Sequence, residues 1–103
     1  MSSDHIPNEP TGLTAAVTDN SRVRLVFDGN NPERSVFYLI WRRDGIEGRW
    51  LPRDMTEEHG YVDVNLMPGE IYAYRIQAQA PNKVSAFSNT VVVEVPGLSR
   101  GAE

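Results

Sequence analysis

The sequence predicts an all-β fold, a seven-stranded antiparallel β-sandwich. In short runs along the chain every second residue is apolar, which is the period of a strand with one buried face. Turn residues separate these runs at intervals of roughly 8–12 residues, the spacing typical of sandwich strands. No segment repeats apolar residues at i, i+3, i+4 and i+7 over three turns, so an amphipathic helix is not predicted.

The predicted strands follow each other closely along the chain. In order, the runs are LTAAV, RVRLVFD, SVFYLIWRR, GRWLP, YVDVNL, IYAYRIQAQ and SAFSNTVVVEV. The fourth is a short piece broken by Pro52, because proline lacks the N–H that a strand ladder uses. The DMTEEHG stretch after it is interpreted as a polar turn. In the sixth run, Tyr72, Tyr74 and Ile76 face the core, while Arg75 and its alternate neighbours face water.

Length, charge and cysteine content limit the function classes. A chain of 103 residues makes one domain, predicted over residues 11–96, with a tether over 1–10 and a frayed tail over 97–103. The absence of cysteine excludes disulfides and thiolate metal sites. A net charge of −4 disfavours nucleic acid as a partner. No apolar run reaches the ~20 residues of a membrane helix, and MSSDHIPNEP lacks the apolar segment of a signal peptide.

Candidate catalytic and metal-binding groups are few. The acidic stretch with Asp54, Glu57, Glu58 and His59 could offer a carboxylate pair or bind a cation. It lacks the acidic-x-acidic spacing and the glycine of a Ca²⁺ loop, and acidic turns are more often simply solvated. No serine has the strand–turn–helix setting of an activated nucleophile. We therefore expect no catalytic residues, no metal and no cofactor, and hence no enzyme.

One segment carries a specific motif that spans a turn and a strand. Its members are Leu66, Pro68, Gly69, Tyr72, Ile76 and Ala78. They match the L-x-P-G-x-x-Y-x-x-x-V-x-A pattern of fibronectin type III domains, which the chain resembles from about Thr11 to Pro96. The resemblance implies that Tyr72 is a corner tyrosine whose hydroxyl returns to the backbone near the preceding turn. It also places Phe27 where the family usually carries a tryptophan, and Tyr38 in the inward pair of the third strand.

The third predicted strand has large apolar side chains on both faces. If Tyr38 faces the core, then Phe37, Leu39 and Trp41 face outward, because side chains alternate along a strand. Such a stripe would bury on the order of 400–600 Å² if covered, and a patch of that size is typical of an interaction site. Trp50 extends it in this interpretation, and Arg75 is its polar partner. Alternatively, Arg75 and Gln77 lie over the stripe and make it an ordinary sheet surface.

Two functional hypotheses remain open from the sequence. The first is a non-enzymatic interaction or structural module that acts through a sheet face. It would be a subunit of a larger surface or virion-type assembly, or a spacer domain of a secreted multidomain protein. Its partner would be another protein or a second copy, with carbohydrate reached only through a neighbouring domain. The second is a loop-based binder, natural or engineered, using the turns near residues 30–34, 56–60 and 81–86. The resemblance favours an extracellular or particle-surface location.

Overall fold

The computed structural model describes residues 6–19, 21–32 and 35–97, which form eight β-strands in two antiparallel sheets. The strands are β1 (Thr11–Asp19), β2 (Arg22–Asp28), β3 (Phe37–Asp44), β4 (Trp50–Thr56), β5 (Gly60–Asp63), β6 (Ile71–Gln79), β7 (Val84–Phe87) and β8 (Val91–Glu94). The smaller sheet has the order β1-β2-β5. The larger has the order β4-β3-β6-β7, with β8 also paired to β6. The predicted sandwich is confirmed. Within the described ranges no helix has the length and apolar character of a membrane span.

The extra strand arises because the last predicted strand is interrupted. Both of its halves, β7 and β8, pair with β6, and serine side chains bond to β6 around the break. The N–H of Ala78 donates to Ser85 Oγ, and the N–H of Ile76 donates to Ser88 Oγ, both at 2.9 Å. The Asn89 side chain bonds the N–H and C=O of Leu13 in β1, each at 3.0 Å. The break therefore ties one sheet to the other.

The core lies between the sheets, and alternate residues of the facing strands fill it. Val23, Leu25 and Phe27 of β2 are buried, as are Tyr38 and Ile40 of β3. The Phe27 and Tyr38 rings meet edge to face with centroids 5.1 Å apart, a favourable aromatic geometry. Further buried apolar side chains come from the turn motif and β6: Leu66, Tyr72, Tyr74, Ile76 and Ala78.

The turn before β6 has the geometry that its sequence demands. The N–H of Glu70 donates to the C=O of Met67 at 3.2 Å across Pro68 and Gly69. Gly69 has φ = +83°, a conformation open to glycine because it has no Cβ. The Tyr72 hydroxyl accepts the N–H of Met67 at 2.9 Å, so the ring sits in the core while the oxygen fixes the turn.

The structure changes two details of the sequence interpretation. The outer side of β6 is not wet, because Ala73 and Gln77 are only 0% and 9% exposed. The fourth strand does not end at Pro52 but continues to Thr56, so that most of the predicted polar turn lies in or beside a strand. Pro52 is accommodated because β4 is an edge strand, and a register shift opposite Ile40 and Trp41 accompanies it.

A buried carboxylate joins the two sheets. Asp63 of β5 is fully buried and accepts hydrogen bonds from Tyr74 Oη at 2.6 Å, Arg53 Nε at 2.8 Å and Arg42 Nη1 at 3.0 Å. Arg42 also pairs with Asp44, with its Nε 2.7 Å from Oδ1. Burial alone would raise the pKa of Asp63, but the hydrogen bonds from Tyr74 and the two arginines outweigh it and hold the pKa below its usual value.

Residues 6–10 precede the first strand and contact the sandwich. Asn8 donates its N–H to Asn31 Oδ1 at 2.8 Å, and Asn31 Nδ2 donates to the C=O of Asn8 at 2.9 Å. Pro10 is fully buried. The second half of the predicted tether is thus attached to the domain. Residues 1–5, and all of the predicted tail except Gly97, lie outside the described residues, so the domain boundaries remain predictions.

Candidate functional site: the outer face of the larger sheet

The outer face of the larger sheet brings the five predicted site residues onto one surface. Phe37, Leu39 and Trp41 alternate along β3 with the buried Tyr38 and Ile40, and therefore point away from the core. In the register of the sheet, Trp41 pairs with Arg75 of β6, and Arg43 of β3 pairs with Trp50 of β4. Phe37 is 44% exposed, whereas Leu39, Trp41, Trp50 and Arg75 are each partly buried.

Trp41 is covered by its neighbours on the same face. Its indole N–H donates to Gln77 Oε1 at 3.2 Å. Its ring meets Phe87 of β7 edge to face, with centroids 5.9 Å apart. Gln77 in turn donates to the C=O of Ser85 at 2.9 Å. At Trp41 the structure therefore agrees with the alternative interpretation, in which polar groups of β6 lie over the stripe. Trp41 is held in place by these contacts.

Arg75 lies against two aromatic rings. Its guanidinium carbon is 4.3 Å from the centroid of Trp50 and 3.7 Å from that of Phe87. The guanidinium of Arg43 also lies over Trp50, at 5.1 Å. Each cation–π contact contributes about 0.5–1 kcal/mol at an exposed site and ~2 when desolvated. The result is a cluster of two cations and two rings, which we call the Arg–Trp cluster: Arg43, Trp50, Arg75 and Phe87.

The Arg–Trp cluster contains two positive charges and no negative charge. Within the described ranges neither Arg43 nor Arg75 forms an ion pair with a carboxylate. The Nε of Arg75 is buried with no acceptor among those residues, while the Nε of Arg43 donates to the C=O of Gly45 at 3.2 Å. Burial and then the neighbouring charge of Arg43 lower the pKa of Arg75. Positive charge is thus concentrated here without its counter-charge.

The other half of the face is open. A hollow of about 440 Å³ is lined by Phe37, Met55, Ala80 and Pro81, together with Ser35 and Gln79. Met55 enters it because β4 extends past Pro52 and pairs Met55 with Leu39. We call this feature the Phe37 hollow.

Met55 and Phe87 are two site residues that the sequence interpretation missed. The sequence predicts a polar turn at Met55, because its neighbours in DMTEEHG show no alternation of apolar and polar residues. Phe87 lies in the predicted last strand, but the sequence does not show that its ring packs against Trp41 on this face.

The loops of the second hypothesis lie near one another. His59 packs against Phe27 and Tyr38, with ring centroids 6.1 and 5.5 Å apart. Asn30 lines a hollow of about 770 Å³ together with the N-terminal segment and residues 84–86. The Nδ2 of Asn30 is engaged, since it donates to Glu9 O and Thr11 Oγ1. Residues 33–34 lie outside the described residues.

The acidic stretch shows no metal-binding geometry in the part of the chain that the structure describes. There, no three His, Asp or Glu side chains come close enough to hold an ion. Asp54 is instead engaged locally. Its Oδ2 accepts from the hydroxyl of Tyr61 at 3.0 Å, and its Oδ1 accepts from the N–H of Met55 at 2.8 Å.

Known structures identify the architecture. No protein-family model matches the sequence. A solution structure of a fibronectin type III domain of human fibronectin type III domain containing protein 3 superposes with a TM-score of 0.78 at 17% identity, covering 98% of this chain and 96% of that one. The chain has a fibronectin type III fold.

Two longer proteins contain a similar unit. A crystal structure of domains from titin matches at a TM-score of 0.77 and 19% identity, covering 88% of this chain and 32% of that one. The twitchin kinase region from C. elegans matches at a TM-score of 0.80 and 20% identity, with 95% and 18% covered. This chain therefore spans a third or less of those two structures, and at such identities the likeness concerns the fold.

Proposed function

We propose that this fibronectin type III domain is a non-enzymatic interaction module that binds another protein through the outer face of its larger sheet. The observation that carries the proposal is the Phe37 hollow beside the Arg–Trp cluster. Aromatic residues and arginine dominate the energetics of protein interfaces. Rings held in place before binding lose little conformational entropy on association, which favours affinity. The face combines an open apolar contact area with a fixed aromatic border.

Two settings suit such a module. It is a subunit of a larger surface or virion-type assembly, or a spacer domain of a secreted multidomain protein. The partial coverage of the titin and twitchin structures supports only the multidomain part of the second setting, because there a similar unit is one part of a longer chain. The non-enzymatic part of the proposal is supported by the chemistry of the face, whose groups are rings, amides and guanidinium groups suited to contact.

The loop-binding alternative has less support. Recognition loops favour exposed Tyr, Trp, Ser and Gly. Here the Asn30 and Asn31 amides are engaged with residues 8–11, and the His59 ring packs on Phe27 and Tyr38. Alanine substitutions across the three loops that abolish partner binding, while Phe37→Lys leaves it intact, would establish the loop-binding function instead.

Light scattering over a wide concentration range tests the self-association form of the proposal. Phe37→Lys is the variant, and Val26→Lys on the outer face of the smaller sheet is its matched control, because these side chains are 44% and 46% exposed. We expect any association of the wild type to be lost in Phe37→Lys and retained in Val26→Lys. If the wild type remains monomeric at every concentration, self-association is excluded and the expected partner is a different protein. Association that both variants retain contradicts the proposed face.

A further inference from the structure

The charges of the chain are unevenly paired. The sequence has 14 acidic and 10 basic residues, yet the Arg–Trp cluster carries two guanidinium groups without a carboxylate. Elsewhere in the described residues, Arg22, Arg42 and Arg53 each pair with an aspartate. The outward positions of β3 and β6 supply aromatic, aliphatic, amide and guanidinium groups but no acid. An excess of acid in the whole chain thus coexists with an unneutralised cationic site.

The arrangement of Arg43 and Arg75 is costly without a counter-charge. Two like charges share the Trp50 ring, and Arg75 Nε has no acceptor among the described residues. Because that Nε is covered by protein atoms, an incoming group would reach Arg75 through the end of its guanidinium and not through Nε. A carboxylate is the acceptor that guanidinium geometry suits best, and charge-assisted hydrogen bonds of this kind are the strong ones.

The Phe37 hollow and Arg75 lie at a spacing that an extended peptide can match. Arg75 pairs with Trp41, four residues along β3 from Phe37. At a rise of about 3.3 Å per residue the separation is ~13 Å. In an extended peptide, residues i and i+4 point to the same side and are the same ~13 Å apart. One apolar and one acidic side chain at this spacing could therefore reach both features together.

We propose that the partner is an acidic, extended peptide segment that lies along β3. Its apolar side chain enters the Phe37 hollow, and an Asp or Glu four residues away binds the guanidinium groups of Arg75 and Arg43. A second copy is disfavoured because it presents the same cationic face, and a sulfated polysaccharide because it leaves the hollow uncovered. The inference rests on the proposed function of this face and specifies the chemistry of its partner.

Peptide titrations followed by NMR test the inference on the full chain. The probe is the blocked peptide Phe-Ser-Thr-Ser-Glu. One control replaces Glu by Gln, and another, Phe-Ser-Thr-Glu-Ser, moves Glu to the opposite side of the extended chain. The reporters are the indole N–H resonances of Trp41 and Trp50, the two tryptophans of the sequence. Low ionic strength is used because salt screens exposed charges.

We expect the probe to bind about fivefold more tightly than either control, the factor that roughly 1 kcal/mol of ion pairing gives. Arg75→Gln removes this preference. Because Arg75 packs between two rings and its loss could unfold the domain, Arg43→Gln is the second variant and should reduce the preference as well. Arg24→Gln, on the outer face of the smaller sheet, is the matched control and should leave it unchanged.

The outcomes separate this inference from the proposed function. Equal binding of all three peptides, abolished by Phe37→Lys, overturns the acidic partner while the interaction face stands. A preference for Glu that both arginine variants retain also overturns it. If no peptide shifts either indole resonance, the inference fails, while the light-scattering experiment still tests the proposed interaction face.

Discussion

Replacing Asp63 by asparagine should destabilise the fold strongly, because this carboxylate joins strands of both sheets. It is fully buried and accepts hydrogen bonds from Tyr74, Arg42 and Arg53. Asparagine keeps the shape but loses the charge, and its amide brings donors to where four donors already converge, since the N–H of Val64 also bonds Asp63 Oδ1 at 3.1 Å. The two guanidinium groups then lose the anion that offsets their desolvation.

The size of the stability loss depends on how exposed to water the side chains of Arg42 and Arg53 are. Removing one partner of a buried ion pair costs about 3–5 kcal/mol. The side chains of Arg42 and Arg53 remain 20% and 35% exposed, and Arg42 keeps its bond to Asp44, so the lower end applies. We expect a loss of ~3 kcal/mol from a total of roughly 5–15. At 4–8 °C per kcal/mol for a domain near this size, the Tm should fall by about 12–24 °C.

The same carboxylate predicts how stability depends on pH. Because its folded pKa lies below the unfolded value of about 4, its contribution is complete above that value and is lost as the pH falls through the folded pKa. The difference in stability between the wild type and Asp63→Asn should therefore be constant near neutral pH. It should shrink below about pH 4.

Urea unfolding at neutral pH measures the effect. The matched control is Asp44→Asn, because Asp44 also bonds Arg42 but is largely exposed. An exposed ion pair contributes about 0–1 kcal/mol, so the control should lose little. If Asp63→Asn costs no more than Asp44→Asn, the buried carboxylate does not hold the sheets together as described.

Three further predictions concern the turn motif and the half-buried Tyr61. Gly69→Ala should cost about 1–2 kcal/mol in urea unfolding, because φ = +83° strains any residue with a Cβ even though the space around it is free. Tyr72→Phe leaves the N–H of Met67 without its acceptor and should cost about 1–3 kcal/mol; an unchanged midpoint would argue against the corner bond. Burial and the bond to Asp54 raise the pKa of Tyr61 to about 12. Its contribution to stability should therefore fade as the pH rises above about 10. In an ultraviolet titration, the Tyr61→Phe variant should have one fewer tyrosine that ionises at high pH than the wild type.

The sequence was most informative where local chemistry and core packing demand the same residue. The Pro68-Gly69 turn requires a positive φ at glycine, and Tyr72 then has one place for its ring and one for its hydroxyl. Alternation in β2 similarly predicts which residues enter the core, because a shift of one residue would expose all of them. The run that forms β3 is apolar on both faces, so its inward residues were predicted from the family resemblance. The turn motif and the alternation were therefore enough to predict the sandwich, and its resemblance to fibronectin type III domains, without knowledge of tertiary contacts.

Three features depend on contacts between strands that the sequence alone does not reveal: the path of β4, the covered outer side of β6 and the Phe37 hollow. A proline within a strand signals a break, yet the edge position of β4 accommodates Pro52, which a single sequence does not reveal. Alternation on β6 indicates a wet outer side, but Phe87 of β7 and Trp50 of β4 cover it by stacking on Arg75. The Phe37 hollow requires Met55, whose pairing with Leu39 exists only in the folded sheet.

The most direct test of the proposed face is position-specific photo-cross-linking in the setting where the protein naturally occurs. A photoreactive phenylalanine analogue replaces Phe37 in one variant and Val26, which is similarly exposed on the opposite sheet, in the other. An interaction face on the larger sheet predicts a discrete protein adduct, with a second copy or with another protein, from position 37 and not from position 26. Adducts of equal yield from both positions, or none from position 37, would contradict it.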